Sequence, residues 1–213
     1  MSIPPVDRRT RKRLATRQAI SNAATRLFIV HGFDHVTVDE IAEAADVGRM
    51  TVFNHFPRKE DMFFDLDEAA REQVRAVLRE SDPEIGPIET LRLFAHQVVA
   101  EQRDYVRFLD ASPRFVQTIA ESETLKARAR AIRDELAAMV QDGLAERAGQ
   151  DRSDADAQLA ANLLLATWGV AFLQAHQAFE RNRDEAEAQR ILLALIDKGS
   201  IGIKAAMAGS LYA

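Results

Sequence analysis

The segment from Val36 to Phe64 constrains the fold of this chain more than any other stretch of its sequence. Thr37 is followed three residues later by Glu40, which is the spacing of a capping box at the start of a helix. Val36 and Ile41 flank this start at the spacing of a hydrophobic staple. The pattern therefore predicts a short helix that begins directly after Thr37.

A tight turn and a second short helix are predicted to follow. Asp46 lies where the first helix must end, and Asp tolerates a left-handed backbone better than most residues. Gly48 then begins a second helix that runs to Phe56. Two short helices joined across a small turn form a helix-turn-helix, whose second helix can enter the major groove of DNA.

These residues resemble the TetR family of transcriptional regulators over about Thr10 to Phe64. The family carries one helix, this helix-turn-helix and then an aromatic-x-His-Phe-x-x-Lys sequence, which here runs from Phe53 to Lys59. The resemblance implies an all-α protein with two domains. Residues 1–56 would form a three-helix DNA-binding domain with a basic N-terminal arm, and residues 57–213 a larger helical domain for effector binding and dimerisation.

Position by position, the resemblance also implies a set of DNA contacts. The residues at the family's contact positions are Thr37, Gly48, Arg49, Thr51, Phe53, His55 and Lys59. Arg49 is the best candidate for reading a base, because Arg can pair bidentately with guanine. His55 and Phe53 could instead simply pack against the domain.

Three residues depart from the family pattern. The family usually has Gly in place of Asp46, Ser in place of Gly48 and Tyr in place of Phe53. Gly48 has no hydroxyl to cap the helix or meet a phosphate, and Phe53 lacks the phenolic hydroxyl. Two expected phosphate contacts are therefore missing, and a basic arm would compensate for them.

The distribution of charge favours a nucleic-acid partner for the N-terminal part of the chain. The net charge is −5, but residues 1–60 hold 10 Lys and Arg against 7 Asp and Glu, and residues 61–213 hold 18 against 26. Six of the basic residues fall close together, namely Arg8, Arg9, Arg11, Lys12, Arg13 and Arg17. Such a cluster can neutralise phosphates or lie along a groove, and the alternative is a mobile, solvated tail.

Apolar periodicity predicts helices along nearly the whole chain. Their predicted bounds are about 10–31, 57–80, 88–102, 113–120, 122–148, 154–181 and 184–207. The last two are apolar on two faces, so each must be covered twice. A symmetric homodimer built through these two helices meets that need, and the family dimerises in this way. Gly199 and Gly202 would permit close helix approach.

The resemblance implies a cavity for a small-molecule effector among the middle helices. Large apolar or isolated polar residues on inward faces are the candidate lining, namely Phe94, Phe108, Phe115, Met139, Trp168, Phe172 and His176. Such a lining favours a largely apolar effector, although these side chains could equally form a solid core. Three arginines, Arg103, Arg107 and Arg114, could instead receive an acidic group.

Other classes of protein fit the sequence poorly. The chain has no cysteine, its five histidines lack the spacing of a metal site, and no nucleophile elbow, P-loop or dinucleotide motif occurs. We therefore expect no enzyme, metal or cofactor. No signal peptide and no apolar run of membrane length are expected, which predicts a cytoplasmic protein without a membrane partner.

The prediction is a repressor that leaves a palindromic double-stranded DNA operator when its effector binds. Repression is the simpler default, because a bound protein excludes polymerase sterically. A regulator that responds to a protein partner, or that has no small-molecule ligand, remains the alternative.

Overall fold

A computed structural model of the chain describes residues 7–65, 67–82, 84–110 and 112–213, except for the side chains of residues 67–69. Within these ranges every regular element is a helix, which confirms the all-α prediction. The helices are α1 Arg8–His31, α2 Val38–Ala44, α3 Arg49–His55, α4 Lys59–Phe63, α5 Asp67–Glu80, α6 Pro87–Ala100, α7 Ser112–Glu121, α8 Glu123–Arg147, α9 Ala155–Asn182 and α10 Glu185–Ala206. Short 3-10 turns cover Phe33–His35 and Asp104–Val106.

The chain divides into two compact units. The first comprises the residues up to Asp65 together with Gln117–Arg128, and the second comprises residues 66–116 and 129–213. The predicted domain boundary between residues 56 and 57 stays a prediction.

The first unit is built around the inward face of α1. Ile20, Ala24 and Phe28 are fully buried there, as the helical spacing predicts. The ring of Phe28 lies 4.9 Å from that of Phe33 and 6.0 Å from that of Phe63, measured between centroids. The aromatic side chains thus close a small core beneath α1.

The N-terminal end of α1 corrects the prediction of a basic arm. Asp7 caps the helix by accepting hydrogen bonds from the backbone N–H groups of Arg9 and Thr10, at 2.6 and 3.0 Å. Helix α1 therefore begins at Arg8, two residues before the predicted start, and so includes Arg8 and Arg9 together with the rest of the basic cluster. Residues 1–6 of the predicted arm lie outside the described residues.

The single helix predicted over residues 57–80 is wrong, because the structure has two helices there. Helix α4 ends at Phe63, and α5 begins at Asp67. The Ser21 hydroxyl of α1 donates to the carbonyl of Met62 at 3.2 Å. Arg17, also on α1, forms a 2.6 Å ion pair with Asp65. These contacts hold the end of α4 against α1 and compete with a continued helix.

In the second unit, α9 and α10 form the most extensive helix pair. A Cβ atom on Gly199 would lie 2.2 Å from Cγ2 of Thr167, so only glycine permits this approach of α10 to α9. Gly202 has no atom within 4 Å of the corresponding position. The predicted close approach of a neighbouring helix is therefore confirmed at Gly199, within one chain, and it is not observed at Gly202.

An ionic network joins α6 to α10. Arg92 of α6 pairs with Glu89 at 2.6 Å and with Asp197 of α10 at 2.9 Å, while Lys204 of α10 pairs with Glu89 at 3.0 Å. The hydrogen bond from Arg92 is the main reason that the pKa of Glu89 falls to about 2. Helix α6, which lines a cavity described below, is thus fixed to α10 by charge as well as by apolar packing.

The sequence predicts no uninterrupted apolar run of membrane length, and one helix, α9, is long and apolar enough to be compared with that prediction. By length and composition alone it qualifies, with a mean hydropathy of 1.3 over its most apolar window. The core helix of a soluble protein meets the same criterion. Helix α9 packs on α10 and buries the small side chains of Ala160, Ala161 and Ala171.

Candidate nucleic-acid interface and effector cavity

The start of α2 has the geometry of a complete capping box. The Thr37 hydroxyl oxygen accepts a hydrogen bond from the backbone N–H of Glu40 at 3.2 Å. The Glu40 carboxylate in turn accepts from the backbone N–H of Thr37 at 2.7 Å and from its hydroxyl at 2.8 Å. Val36 and Ile41 are both buried, in agreement with the predicted staple.

The turn between α2 and α3 depends on Asp46. Its φ of 52° is left-handed, and the backbone N–H of Val47 reaches back to the carbonyl of Ala42 at 3.0 Å. Gly48 then caps α3 with backbone only, since it has no side-chain acceptor. The predicted helix-turn-helix is confirmed, including the left-handed residue and the helix start.

One face of α3 is buried, and the opposite face is exposed. Val52 and Phe56 are fully buried and fix the helix on the unit. Four exposed side chains lie on the other face, namely Arg49, Met50, Phe53 and Asn54. Thr51 and His55 are only half-exposed.

Met50 and Asn54 are absent from the residues that the sequence nominated. Met50 is 71% exposed, the largest exposure of any apolar side chain on α3. The helical period contains the signal for these two residues, because inward side chains at Val52 and Phe56 place positions 50 and 54 on the opposite face.

Arg49 is held by two neighbours. Its Nη1 atom donates to Oδ2 of Asp39, on α2, at 2.6 Å. The centre of its guanidinium lies 5.6 Å from the centroid of the Phe53 ring. Both charged side chains are more than half exposed, so the pair lies on the surface that α3 presents.

Thr37 and Lys59 are engaged inside the first unit. The Thr37 hydroxyl both donates to and accepts from Glu40, as described above. The Lys59 ammonium donates to the carbonyl of Phe33 and lies 4.3 Å from the centroid of that ring. Burial lowers the pKa of Lys59, against the opposing effect of nearby carboxylates. Both residues thus have a structural role, and their phosphate contacts stay predictions.

His55 and Arg17 connect α3 to α1. Arg17 donates to the carbonyl of His55 at 2.6 Å, and its guanidinium lies 4.0 Å from the Phe56 ring centroid. Partial burial is the main cause that lowers the pKa of His55, and the positive charges of Arg13 and Arg17 lower it further. Both effects favour the neutral form of the imidazole. The basic side chains of α1 lie close enough to the end of α3 to affect its electrostatics.

Five of the predicted effector-binding residues come together, but they form part of a packed core. Phe94, Phe108, Trp168 and Phe172 belong to one apolar cluster, and the His176 ring lies 4.9 Å from that of Phe108. Burial lowers the pKa of His176, whose Nδ1–H donates to the carbonyl of Phe172 at 2.9 Å.

The other two predicted effector-binding residues lie elsewhere. Met139 packs against a different apolar cluster, and Phe115 lies half-buried on α7. The seven candidates therefore do not converge on one site.

A cavity of about 310 Å³ lies between α5, the loop after it and α6. Its lining consists of Ala76, Val77, Glu80, Ser81, Ile85, Thr90, Leu93, Phe94 and Gln97. Only Phe94 is shared with the predicted set. Thr90 is 5% exposed, and its hydroxyl oxygen has no hydrogen-bond partner in the structure.

Two of the three arginines that could receive an acidic group of an effector form ion pairs within the protein instead. Arg103 pairs with Glu101 at 2.7 Å, and Arg107 pairs with Glu185 at 3.4 Å. Neither they nor Arg114 line the cavity. The loop at the cavity is fixed by Arg147, which donates to the Ser81 hydroxyl and to the backbone carbonyls of residues 82 and 85.

Helices α9 and α10 carry large apolar side chains that are exposed in a single chain. Val170 is 54% exposed and Leu173 49% exposed on α9, and Ile201 is 66% exposed on α10. Leu159 extends the same feature toward the start of α9, at 47% exposure. Among the described residues, no group of three or more His, Asp or Glu side chains could hold a metal ion.

Residues 20–66 match the family model described as "Bacterial regulatory proteins, tetR family". The matched residues include α2, the turn and α3, and they end just after α4. The family signal therefore coincides with the helix-turn-helix and its supporting helices.

Curated relatives match part of the chain. The chain is 32% identical over 96 residues to the transcriptional regulator TcmR of Streptomyces glaucescens, a match that covers 45% of this chain and 42% of TcmR. It is 37% identical over 81 residues to the transcriptional repressor AcnR of Corynebacterium efficiens, covering 38% of this chain and 41% of AcnR. The chain thus spans less than half the length of each of these two relatives. They are transcriptional regulators and not enzymes, in agreement with the prediction.

Solved structures resemble the chain over most of its length. The complex of SmeT with triclosan superposes with a TM-score of 0.56 and 20% identity, covering 88% of this chain and 91% of that one. SmeT is described as the repressor of a multidrug efflux pump of Stenotrophomonas maltophilia. At this level of identity the comparison establishes the shared fold.

Proposed function

We propose that the chain is a cytoplasmic repressor of the TetR family, whose family model matches residues 20–66. It binds a palindromic DNA operator as a homodimer and leaves the operator when a small molecule binds its second unit. The observation that carries this proposal is the exposed face of α3, with Arg49 at its beginning, on a fully capped helix-turn-helix.

The exposed face of α3 supports base recognition by side chains of complementary chemistry. Arg49 can donate to O6 and N7 of guanine, Asn54 can pair with adenine, and Met50 can contact a thymine methyl group. Phe53 adds an apolar surface between them. The basic face of α1, with Arg13 near the end of α3, supplies charge for nearby phosphates. Thr37, Gly48, Thr51, His55 and Lys59 remain proposed contacts with the DNA backbone.

The exposed apolar side chains of α9 and α10 support dimerisation through these helices. Large side chains such as Val170, Leu173 and Ile201 are unfavourable in water, and a second copy of the same face would bury them. A two-fold dimer presents two α3 helices, so the operator should be a palindrome. Its half-sites should lie about one helical turn apart.

The cavity beside α6 is the proposed effector site. Its walls are largely apolar, and Thr90 offers a hydroxyl group that lacks a partner inside the protein. Glu80 is the one charged residue of the lining, and Gln97 adds an amide. This chemistry suits a neutral or cationic amphipathic molecule with a hydrogen-bonding group, and it disfavours an anion. SmeT, with the same fold, has been crystallised with triclosan.

A regulator without a small-molecule ligand is the second candidate. The observation that favours it is the solid packing of the predicted aromatic set, in which Phe94 and Phe108 are 6% and 2% exposed. A ligand would then have to bind away from this aromatic set, as it would in the cavity beside α6. Control by a partner protein would need no internal cavity.

Thermal-shift measurements with neutral, cationic and anionic amphipathic compounds separate the two candidates. The proposal expects some neutral or cationic compounds to raise the melting temperature and to release operator DNA. The variant Thr90→Val, which keeps the shape and removes the hydroxyl group, should weaken that effect. Thr118→Val is a matched control, since Thr118 is a similarly buried threonine outside the cavity. If no compound shifts the melting temperature, or Thr90→Val and Thr118→Val respond alike, the proposed site is wrong.

A further inference from the structure

We propose that Asp39 is a positioning residue for operator specificity: its carboxylate holds the Arg49 guanidinium toward one base pair. The inference rests on the proposed function and deepens it. It adds a residue of α2 to base recognition by α3. Asp39 lies outside the set of contact positions that the family resemblance implies.

The geometry leaves Arg49 free to read a base while it is held. The bond to Asp39 uses the Nη1 atom, at 2.6 Å. Nε and Nη2 can still donate to the two acceptors of a guanine edge. The Phe53 ring lies 5.6 Å from the guanidinium centre and limits its movement from another side. Arg49 is thus oriented before DNA arrives.

A purely structural role explains the presence of Asp39 less well than a positioning role does. An acidic residue in the first turn of α2 is favoured by the helix dipole, but Glu40 already supplies a carboxylate there for the capping box. The side chains of Arg49 and Asp39 are 57% and 65% exposed, and a pair so exposed contributes little to folding. The negative charge of Asp39 on a surface that faces DNA phosphates would weaken DNA binding if it had no other role there.

Holding Arg49 in place raises specificity for one base pair more than it raises the overall affinity for DNA. A long side chain loses rotamer freedom when it makes a contact, and holding it beforehand removes part of that cost. The saving corresponds to about a two- to tenfold change in binding. It applies only to the base pair that Arg49 contacts, because other bases do not order the side chain.

Selection from a randomised library of DNA duplexes tests this inference with the full chain. We would compare the wild type with Asp39→Asn, Asp39→Glu and Arg49→Ala. Glu43→Gln is the matched control, because Glu43 is an exposed acid one turn further along α2. Melting temperatures would establish that the variants fold alike.

The expected result is a change at one position of the operator. The wild type should select guanine at a position where Arg49→Ala loses the preference. Asp39→Asn should reduce that same preference by about two- to tenfold and leave the other positions unchanged. Asp39→Glu should restore part of it, and Glu43→Gln should have no effect.

Several outcomes would overturn the inference, and they are distinguishable. An unchanged or sharper preference in Asp39→Asn would mean that Asp39 does not position Arg49. Equal gains in affinity for all DNA in Asp39→Asn and Glu43→Gln would mean that only charge matters. If the wild type selects a sequence but Arg49→Ala changes no base, the role of Arg49 is wrong and the inference fails with it. If the wild type selects nothing, the proposed function itself fails.

Discussion

Replacing Thr37 by Ala should destabilise the helix-turn-helix by about 1 kcal/mol. The substitution removes the acceptor for the backbone N–H of Glu40 at 3.2 Å and the hydroxyl donor to its carboxylate at 2.8 Å. One bond of the capping box remains, from the backbone N–H of residue 37 to Glu40. Helix α2 has only seven residues and two buried side chains, so the loss of its cap is a large share of its stability.

Native-state hydrogen exchange is the appropriate assay, because the two units need not unfold together. A change of about 1 kcal/mol should speed exchange of the α2 amides about fivefold. Thr37→Ser should exchange like the wild type, since it keeps the hydroxyl. Exchange of Thr37→Ala at the wild-type rate would refute the capping argument.

Thr37→Asp separates capping from contact with DNA. Aspartate caps a helix about as well as serine, and with Glu40→Gln in the background it meets no like charge at the Thr37–Glu40 contact, so α2 should stay intact. If Thr37 lies against a phosphate, the new negative charge should weaken binding to all DNA. Intact exchange together with unchanged DNA affinity would limit Thr37 to the structural role.

Three further predictions concern the helix contacts. Gly199→Ala should destabilise the second unit by about 1–3 kcal/mol, because its Cβ would clash with a side chain of α9. Gly202→Ala meets no neighbour and should raise the denaturation midpoint, because alanine favours a helix interior more than glycine does. Equal effects of the two substitutions would contradict the packing account. Leu173→Asp should weaken the proposed dimer by about 2–5 kcal/mol, which sedimentation velocity would detect as dissociation, and an unchanged dimer would exclude this face. Hydrogen bonds from Thr37 hold the pKa of Glu40 below its ordinary value of 4.5. The stability that the ionised Glu40 carboxylate contributes is therefore present above pH 4.5 and is lost as the pH falls through the lowered pKa. Because other carboxylates such as Glu89 also have lowered pKa values, denaturation across this range should show a larger loss of stability in the wild type than in Glu40→Gln.

The helix-turn-helix was predictable because local rules define it. The capping box depends on two residues three apart, and the turn depends on one left-handed aspartate. The bounds of most helices follow from apolar period in the same way. Each of these features needs only the residues within a few turns.

Features set by distant partners were not predictable. The break between α4 and α5 depends on α1, through Ser21 and Arg17, more than forty residues earlier in the chain. The engagement of Lys59 with the Phe33 carbonyl likewise appears only when the chain folds. A sequence pattern could nominate Lys59 for phosphate contact, but it could not reveal this internal partner.

The effector site could not be predicted from the sequence for a different reason. Aromatic residues at helical spacing are equally suited to a cavity and to a core, and here most of the nominated set packs solidly. The cavity beside α6 is lined mostly by aliphatic and polar side chains, and Phe94 is the one aromatic residue among them. Only the three-dimensional arrangement distinguishes the two.

The central claim is that the chain recognises a specific DNA sequence as a two-fold dimer. The most direct test is selection from a randomised duplex library with the full chain, followed by sequencing. The account predicts an enriched palindrome with half-sites about one helical turn apart and a guanine in each half-site that depends on Arg49. Enrichment of no sequence, or of one without two-fold symmetry, would contradict it.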